Sequence, residues 1–201
     1  MTDNIQSIRD DLAYLRALAE EGRRGGDRGG VIALAAGLIF ATCSVVQWAA
    51  LERLVGGVVS NGTWLVGTLA FFAILFRFKR RAGSGSGRAR LASVAWMGVG
   101  WAIFTLFAAL TVATWRTQNA LLIYFAPSII FALYGAAWTV AAAVSGKAWV
   151  RLTAMGSFAG SIVCAWFISD PVQYLVYAAG LLLLAALPGF IMMRQEARAE
   201  A

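Results

Sequence analysis

From Val31 onward the chain is a succession of long apolar runs separated by short polar breaks: 31–51, 54–76, 91–115, 120–144, 152–168 and 172–193. Each is long enough to cross the roughly 30 Å of membrane hydrocarbon as a helix. Inside hydrocarbon the backbone amides find no water, so each run must satisfy its own amides by coiling. The pattern predicts an all-α polytopic transmembrane bundle of six spans, 31–193, followed by a short polar tail, 194–201. The fifth run is the shortest. Removing it would carry the C-terminal arginines to the side opposite most other cations.

Ahead of the first run, the segment 1–30 has a different period. Ile5, Ile8, Leu12, Leu15 and Leu18 recur at helical spacing, which predicts an amphipathic helix over Asp3–Glu21. Asp3 and Gln6 have the spacing of a capping box, and Gly22 supplies a stop. Gly25, Gly26, Gly29 and Gly30 make a pliant connection to the first span. The helix carries Asp3, Asp10, Asp11, Glu20 and Glu21 against Arg9 and Arg16. That acidic balance disfavours an anionic membrane surface and suits a partner, a second copy, or the chain's own basic loop.

Composition agrees with the spans: of 201 residues, 60% are hydrophobic and 13% charged, too apolar for a water-soluble domain. The first apolar run starts only after thirty mostly polar residues and others follow, so it is expected to remain a span and not act as a cleaved signal. The net charge of +7 matters through its placement. Five of the seventeen Lys and Arg precede the first span, six lie between the second and third, two between the fourth and fifth, and two follow the sixth. Only Arg53 and Arg116 fall on the other side. The positive-inside rule therefore predicts both termini in the cytoplasm. Trp48, Trp115, Trp166, Tyr174 and Tyr177 then fall toward the outer boundary, Trp96 and Trp149 toward the inner one, and Trp64, Trp101 and Trp138 deeper.

The loop joining the second and third spans holds Arg77, Lys79, Arg80, Arg81, Arg88 and Arg90 around a Gly-Ser hinge, Gly83 to Gly87. Its juxtamembrane position makes it a contact for anionic lipid. A nucleotide cradle is excluded, because the glycines follow a membrane helix and Arg88 stands where a dinucleotide fingerprint needs glycine. Nucleic acid is not an expected partner, since no aromatic interleaving accompanies the charge. Small residues recur every four positions, at Ala33, Gly37 and Ala41 and at Gly156, Gly160 and Cys164. Such rows let helices approach closely, within one chain or between two.

Pro127 removes a donor within the fourth span, leaving a carbonyl near Tyr124 unserved and predicting a kink. Around that bend Asn61, Thr105, Tyr134 and Trp138 are candidate linings of a solute path. Catalysis has little to work with: histidine is absent, and the span interiors hold no Asp, Glu, Lys or Arg. Cys43 and Cys164 read as buried free thiols, and no cofactor or metal is expected.

The stretch Asp10-Asp11-Leu12-Ala13-Tyr14-Leu15-Arg16-Ala17-Leu18-Ala19-Glu20-Glu21-Gly22-Arg23, with Ala35-Ala36-Gly37-Leu38 in the first span, resembles small bacterial six-span membrane proteins of unassigned function. The resemblance continues, more loosely, through Tyr174 to Gly180 and Pro188-Gly189. It implies a multi-pass protein of the bacterial cytoplasmic membrane and transfers no site residues. Two functions are then expected in order. The first is a non-enzymatic accessory, assembly or regulatory component, in contact with lipid and with another membrane protein or a second copy of itself. The second is a carrier or channel for a neutral or amphiphilic solute whose identity the sequence leaves open.

Overall fold

The computed structural model describes residues 29–79 and 87–200. The expected amphipathic helix over 3–21, Arg80 and Arg81, and the side chains of Lys79, Arg88 and Arg90 lie outside what it describes. Among the described residues the chain is helical and contains no strand. In order come α1 (Gly29–Leu51), α2 (Gly57–Lys79), α3 (Gly87–Thr117), a 3-10 helix (Ala120–Phe125), α4 (Ala126–Ser145), α5 (Ala148–Trp166), α6 (Val172–Leu181), a π-helical segment (Leu182–Ala186) and α7 (Leu187–Glu200). The last three form one continuous rod, so six helices are long and apolar enough to cross a membrane. The architecture is that of a multi-pass helical membrane bundle.

The fifth span starts earlier than the apolar pattern predicts, at Ala148 instead of residue 152. Gly146 ends α4 in the left-handed conformation, φ 68°, where its N–H donates to Ala142 O. A residue with a Cβ is strained at that φ, and glycine is not. Only Gly146 and Lys147 separate the two helices, so Trp149, Val150 and Arg151 coil into the first turn of α5.

Packing divides the rods into two groups. α4 and α5 pack closely along one another, and α1 packs along the whole α6–π–α7 rod. Phe131, Leu181 and Cys164 are fully buried among these four rods, and Trp138 is fully buried between them and Trp96 of α3. By contrast α2 rests mainly on α1, and α3 on α4 and the 3-10 helix. Although consecutive, α2 and α3 make at most marginal contact with each other.

Glycines set how closely the inner rods approach. A Cβ on Gly37 would fall against the backbone of Ala186 and 2.7 Å from its side chain, and one on Gly189 would strike Leu34 N and the Gly30 carbonyl. Gly156 faces Leu184, and Gly160 faces Phe131. The small-residue rows are thus consumed within the chain, where close backbones gain dispersion contacts that lipid tails cannot match. Between α4 and α5, Ser128 Oγ donates to Ser161 O at 2.8 Å. Gly30 beneath Gly189, and Lys147 Nζ donating to Gln195 Oε1 at 2.6 Å, put both helical ends and the α4–α5 turn at one end of the bundle. The α1–α2 and α5–α6 turns lie at the other.

Both intramembrane prolines leave a carbonyl that a distant side chain serves. At Pro127 the chain does not kink within a continuous helix. It begins the span as a 3-10 helix and places the proline in the first turn of α4, where a fixed φ near −65° suits the geometry. The Ala126 N–H donates to Ile123 O, the carbonyl that Pro127 cannot reach as an α-helical donor. Tyr124 O, whose 3-10 donor would again be Pro127, accepts instead from Gln173 Nε2 at 2.8 Å. At Pro188 the α-helical partner lost is Leu184 O, which accepts from Trp138 Nε1 at 3.0 Å. In hydrocarbon such substitutes are what make a proline tolerable.

Candidate functional site

Where the inner rods meet the two outer helices, at the end of the bundle opposite the termini, they leave a cavity of about 350 Å³. α1 contributes Phe40 and Gln47, α2 Trp64, and α3 Ile103 and Phe107. The 3-10 helix and α4 contribute Tyr124, Pro127, Ile130 and Tyr134, and α6 contributes Tyr174 and Tyr177. The wall is mostly aromatic and holds no charged side chain.

Local sequence explains why the rings stand there. The tighter 3-10 winding turns Tyr124 away from the register it would hold in an α-helix. Tyr134 follows Ile130 by four residues, and Ile130 follows Pro127 by three, so one stripe of α4 faces the space. Tyr174 and Tyr177 repeat that spacing on α6. Neighbouring rings brace each other: Phe40 stacks on Trp64 at 6.2 Å between centroids, and Tyr124 meets Tyr174 edge-on at 6.4 Å. Tyr134 is held edge-on by Trp96 at 5.5 Å, and Tyr177 packs on Phe131 at 4.9 Å. Pairs at these separations add about 0.5–1.5 kcal/mol each beyond their buried area.

Two glutamines fix the polar geometry. Gln47 Oε1 accepts from Ser60 Oγ at 2.7 Å and from Trp64 Nε1 at 3.2 Å, which ties α1 to α2. That leaves the Nε2 end of the amide with no bond among the described residues, in the cavity wall. Gln173 is completely buried behind the wall. Its Nε2 donates to Tyr124 O at 2.8 Å and to Cys164 O at 3.0 Å, joining the start of the fourth span to the end of the fifth. Its Oε1 has no partner among the described residues. Through these bonds Gln173 anchors the first turn of α6, from which Tyr174 and Tyr177 project.

Of the solute-path residues expected from sequence, Tyr134 stands in the cavity wall beside Pro127. Trp138, one turn further along α4, is buried against Leu184 O and is not part of the wall. Asn61 and Thr105 are exposed on α2 and α3 and are likewise absent from it. Gly37, Gly156 and Gly160 serve helix packing within the chain. In the expected lipid-contact cluster, Arg77 is exposed near the end of α2. Sequence reasoning passed over Gln47 and Gln173. Their signal was legible, since an amide inside an apolar run needs partners wherever it goes.

No group of His, Cys, Asp or Glu among the described residues can hold a metal ion. Cys43 and Cys164 are both free and buried, on separate helices. What the cavity offers is apolar and aromatic surface, phenol hydroxyls and one free amide N–H₂. A full charge placed there would lose hydration without meeting a countercharge, whereas an uncharged molecule with one polar end would meet both kinds of surface. No protein-family model, no curated protein and no solved structure matches the chain. The chemistry of the site therefore rests on its own residues.

Proposed function

We propose that this chain is a non-enzymatic membrane protein that binds and carries an uncharged amphiphilic molecule in the aromatic cavity. The cavity itself carries the reading: about 350 Å³ of space among five of the six spans, walled by four tyrosines and Gln47 with no charged group. That volume lies within the ordinary range of small-molecule sites. The distribution of cations, fifteen of seventeen on the side of the termini, supports a chain with both ends in the cytoplasm. In that orientation the cavity occupies the outer half of the bilayer. A bacterial cytoplasmic membrane is the proposed location.

The test is uptake into proteoliposomes across a panel of uncharged amphiphiles, comparing the parent chain with Tyr134→Phe and Gln47→Leu. Faster uptake of some solute by the parent, reduced in Gln47→Leu, is the expected result. No uptake or binding across the panel, with both variants matching the parent, contradicts the proposal.

A second reading, an accessory or regulatory component acting through contacts, draws on the one-sided packing of α2 and α3. Their outward faces carry Phe72, Phe76, Trp101 and Phe104, all exposed. Copurification and oligomeric state after deletion of residues 1–22 test it. Unchanged partners and unchanged mass count against it.

A further inference from the structure

Resting on the proposed binding role of the cavity and deepening it, we infer that the cavity fills sideways from the bilayer, through the gap between α2 and α3. Its occupant is a single-chain uncharged lipid whose head group is held at Gln47.

Three observations on the molecule converge. The first is the gap. α2 is held by α1 and α3 by α4, and these consecutive helices barely touch each other. Yet each contributes to the wall, through Trp64 on one side and Ile103 and Phe107 on the other. No close approach of α2 to α3 spans the space between those side chains, and in the proposed orientation it faces the bilayer.

The second is the lip of the gap. Gly100, Ile103 and Phe107 succeed one another at intervals of three and four residues, so they share one stripe of α3. Gly100 is exposed, and a Cβ built there meets nothing within 4 Å. The stripe that lines the cavity therefore continues as open backbone. Gly37 and Gly189 are needed for close packing, whereas Gly100, like Gly62 and Gly98, is not.

The third is the polarity of the wall along its length. Gln47 Oε1 is committed to Ser60 and Trp64, so on this residue of the cavity wall Nε2 is the donor left without an acceptor among the described residues. In a hydrocarbon surrounding, an unmatched N–H costs several kcal/mol, and a ligand hydroxyl or ester oxygen removes that cost. From Gln47 the wall runs two turns down α1 to Phe40, where Ile103 and Ile130 make the surface mostly apolar beside the Tyr134 ring. One polar end and one apolar end describe the occupant. The absence of a charged wall residue excludes an ionised head group, and the volume suits one chain instead of two.

The test uses the full chain in phosphatidylcholine nanodiscs with two photoreactive probes. One is a monoacylglycerol bearing a diazirine on its chain, and the other is a water-soluble diazirine-bearing benzyl alcohol. Labelled residues are read by peptide mass spectrometry. The monoacylglycerol is expected to label Phe40, Ile103 or Phe107, and Gln47→Leu to reduce that labelling by roughly threefold to tenfold, the value of one hydrogen bond. Gly100→Trp, or Gly100→Leu if the larger residue impairs folding, is expected to slow labelling by the lipid probe and leave the water-soluble probe unaffected.

If the alcohol labels the cavity while the lipid probe labels only outward residues such as Leu69 and Trp101, the sideways route and the lipid occupant are wrong, and the binding function stands. The sideways route is equally overturned if both probes label the cavity and neither Gly100 variant slows the lipid. If neither probe reaches the cavity, the binding function falls as well.

Discussion

The inner rods and the two outer helices are built from similar residues and behave differently. α1, α4, α5 and the α6–π–α7 rod press backbone on backbone at Gly37 and Gly189 and seat the Phe131 ring on Gly160, and Trp138, Phe131 and Leu181 are completely buried. α2 and α3 are as apolar as many soluble cores, yet each leans on the bundle along one side and leaves Leu65, Leu69, Trp101 and Phe104 outward. In water that exposure would drive collapse. In hydrocarbon it drives nothing, because lipid tails solvate leucine as well as another helix does. Hydrophobicity therefore places all six rods in the membrane, and small residues with a few hydrogen bonds decide which of them pack tightly. The cavity lies where tight packing gives way to loose.

The largest effect should come from spoiling the tightest approach. Gly37→Leu pushes a side chain into the backbone of Ala186, and overpacking of that kind costs about 3 kcal/mol or more. Unfolding in a denaturing-detergent titration should then occur far earlier than in the parent. Next comes Gln173→Leu, which strips donors from Tyr124 O and Cys164 O at once. Two unserved buried carbonyls should cost about 2–4 kcal/mol, measured in the same titration. Loss of binding in Gln173→Leu at temperatures where the chain remains folded would further tie Tyr174 and Tyr177 to their anchor.

Trp138→Phe keeps most of the ring and removes only the donor to Leu184 O. Its expected cost is about 1–2 kcal/mol, that of one orphaned carbonyl. Trp101→Ala, on the outward face of α3, should fall within about 0.5 kcal/mol of the parent despite removing the largest side chain of the four. A penalty there comparable to that of Gln173→Leu would show that α3 is covered by protein and would erase the contrast between the two groups.

Much of the fold was legible because the membrane makes it so. Runs such as 31–51 and 172–193 admit only helix in hydrocarbon, and their bounds agree closely with Gly29–Leu51 and Val172–Gln195. The site was legible only in part. Pro127 announced an unserved carbonyl near Tyr124, but period and composition say nothing about which side chain serves it, and Gln173 lies 49 positions away. Asn61 and Thr105 drew attention as polar residues at span depth, while their azimuth depends on how α2 and α3 rotate against the neighbours each leans on along one side only. A helix with weak packing carries little sequence record of its facing. Tyr134 was readable for the opposite reason, since the proline before it and the small residues around it fix α4 firmly.

The most direct test of the cavity's role is native mass spectrometry of the chain released from nanodiscs containing the monoacylglycerol, compared with Ala126→Leu, which fills the cavity from its own wall. A single retained adduct on the parent, lost in Ala126→Leu while Trp101→Ala keeps it, is the predicted result. Adducts of equal number on the parent and Ala126→Leu would place the lipid on the outer surface and contradict the account.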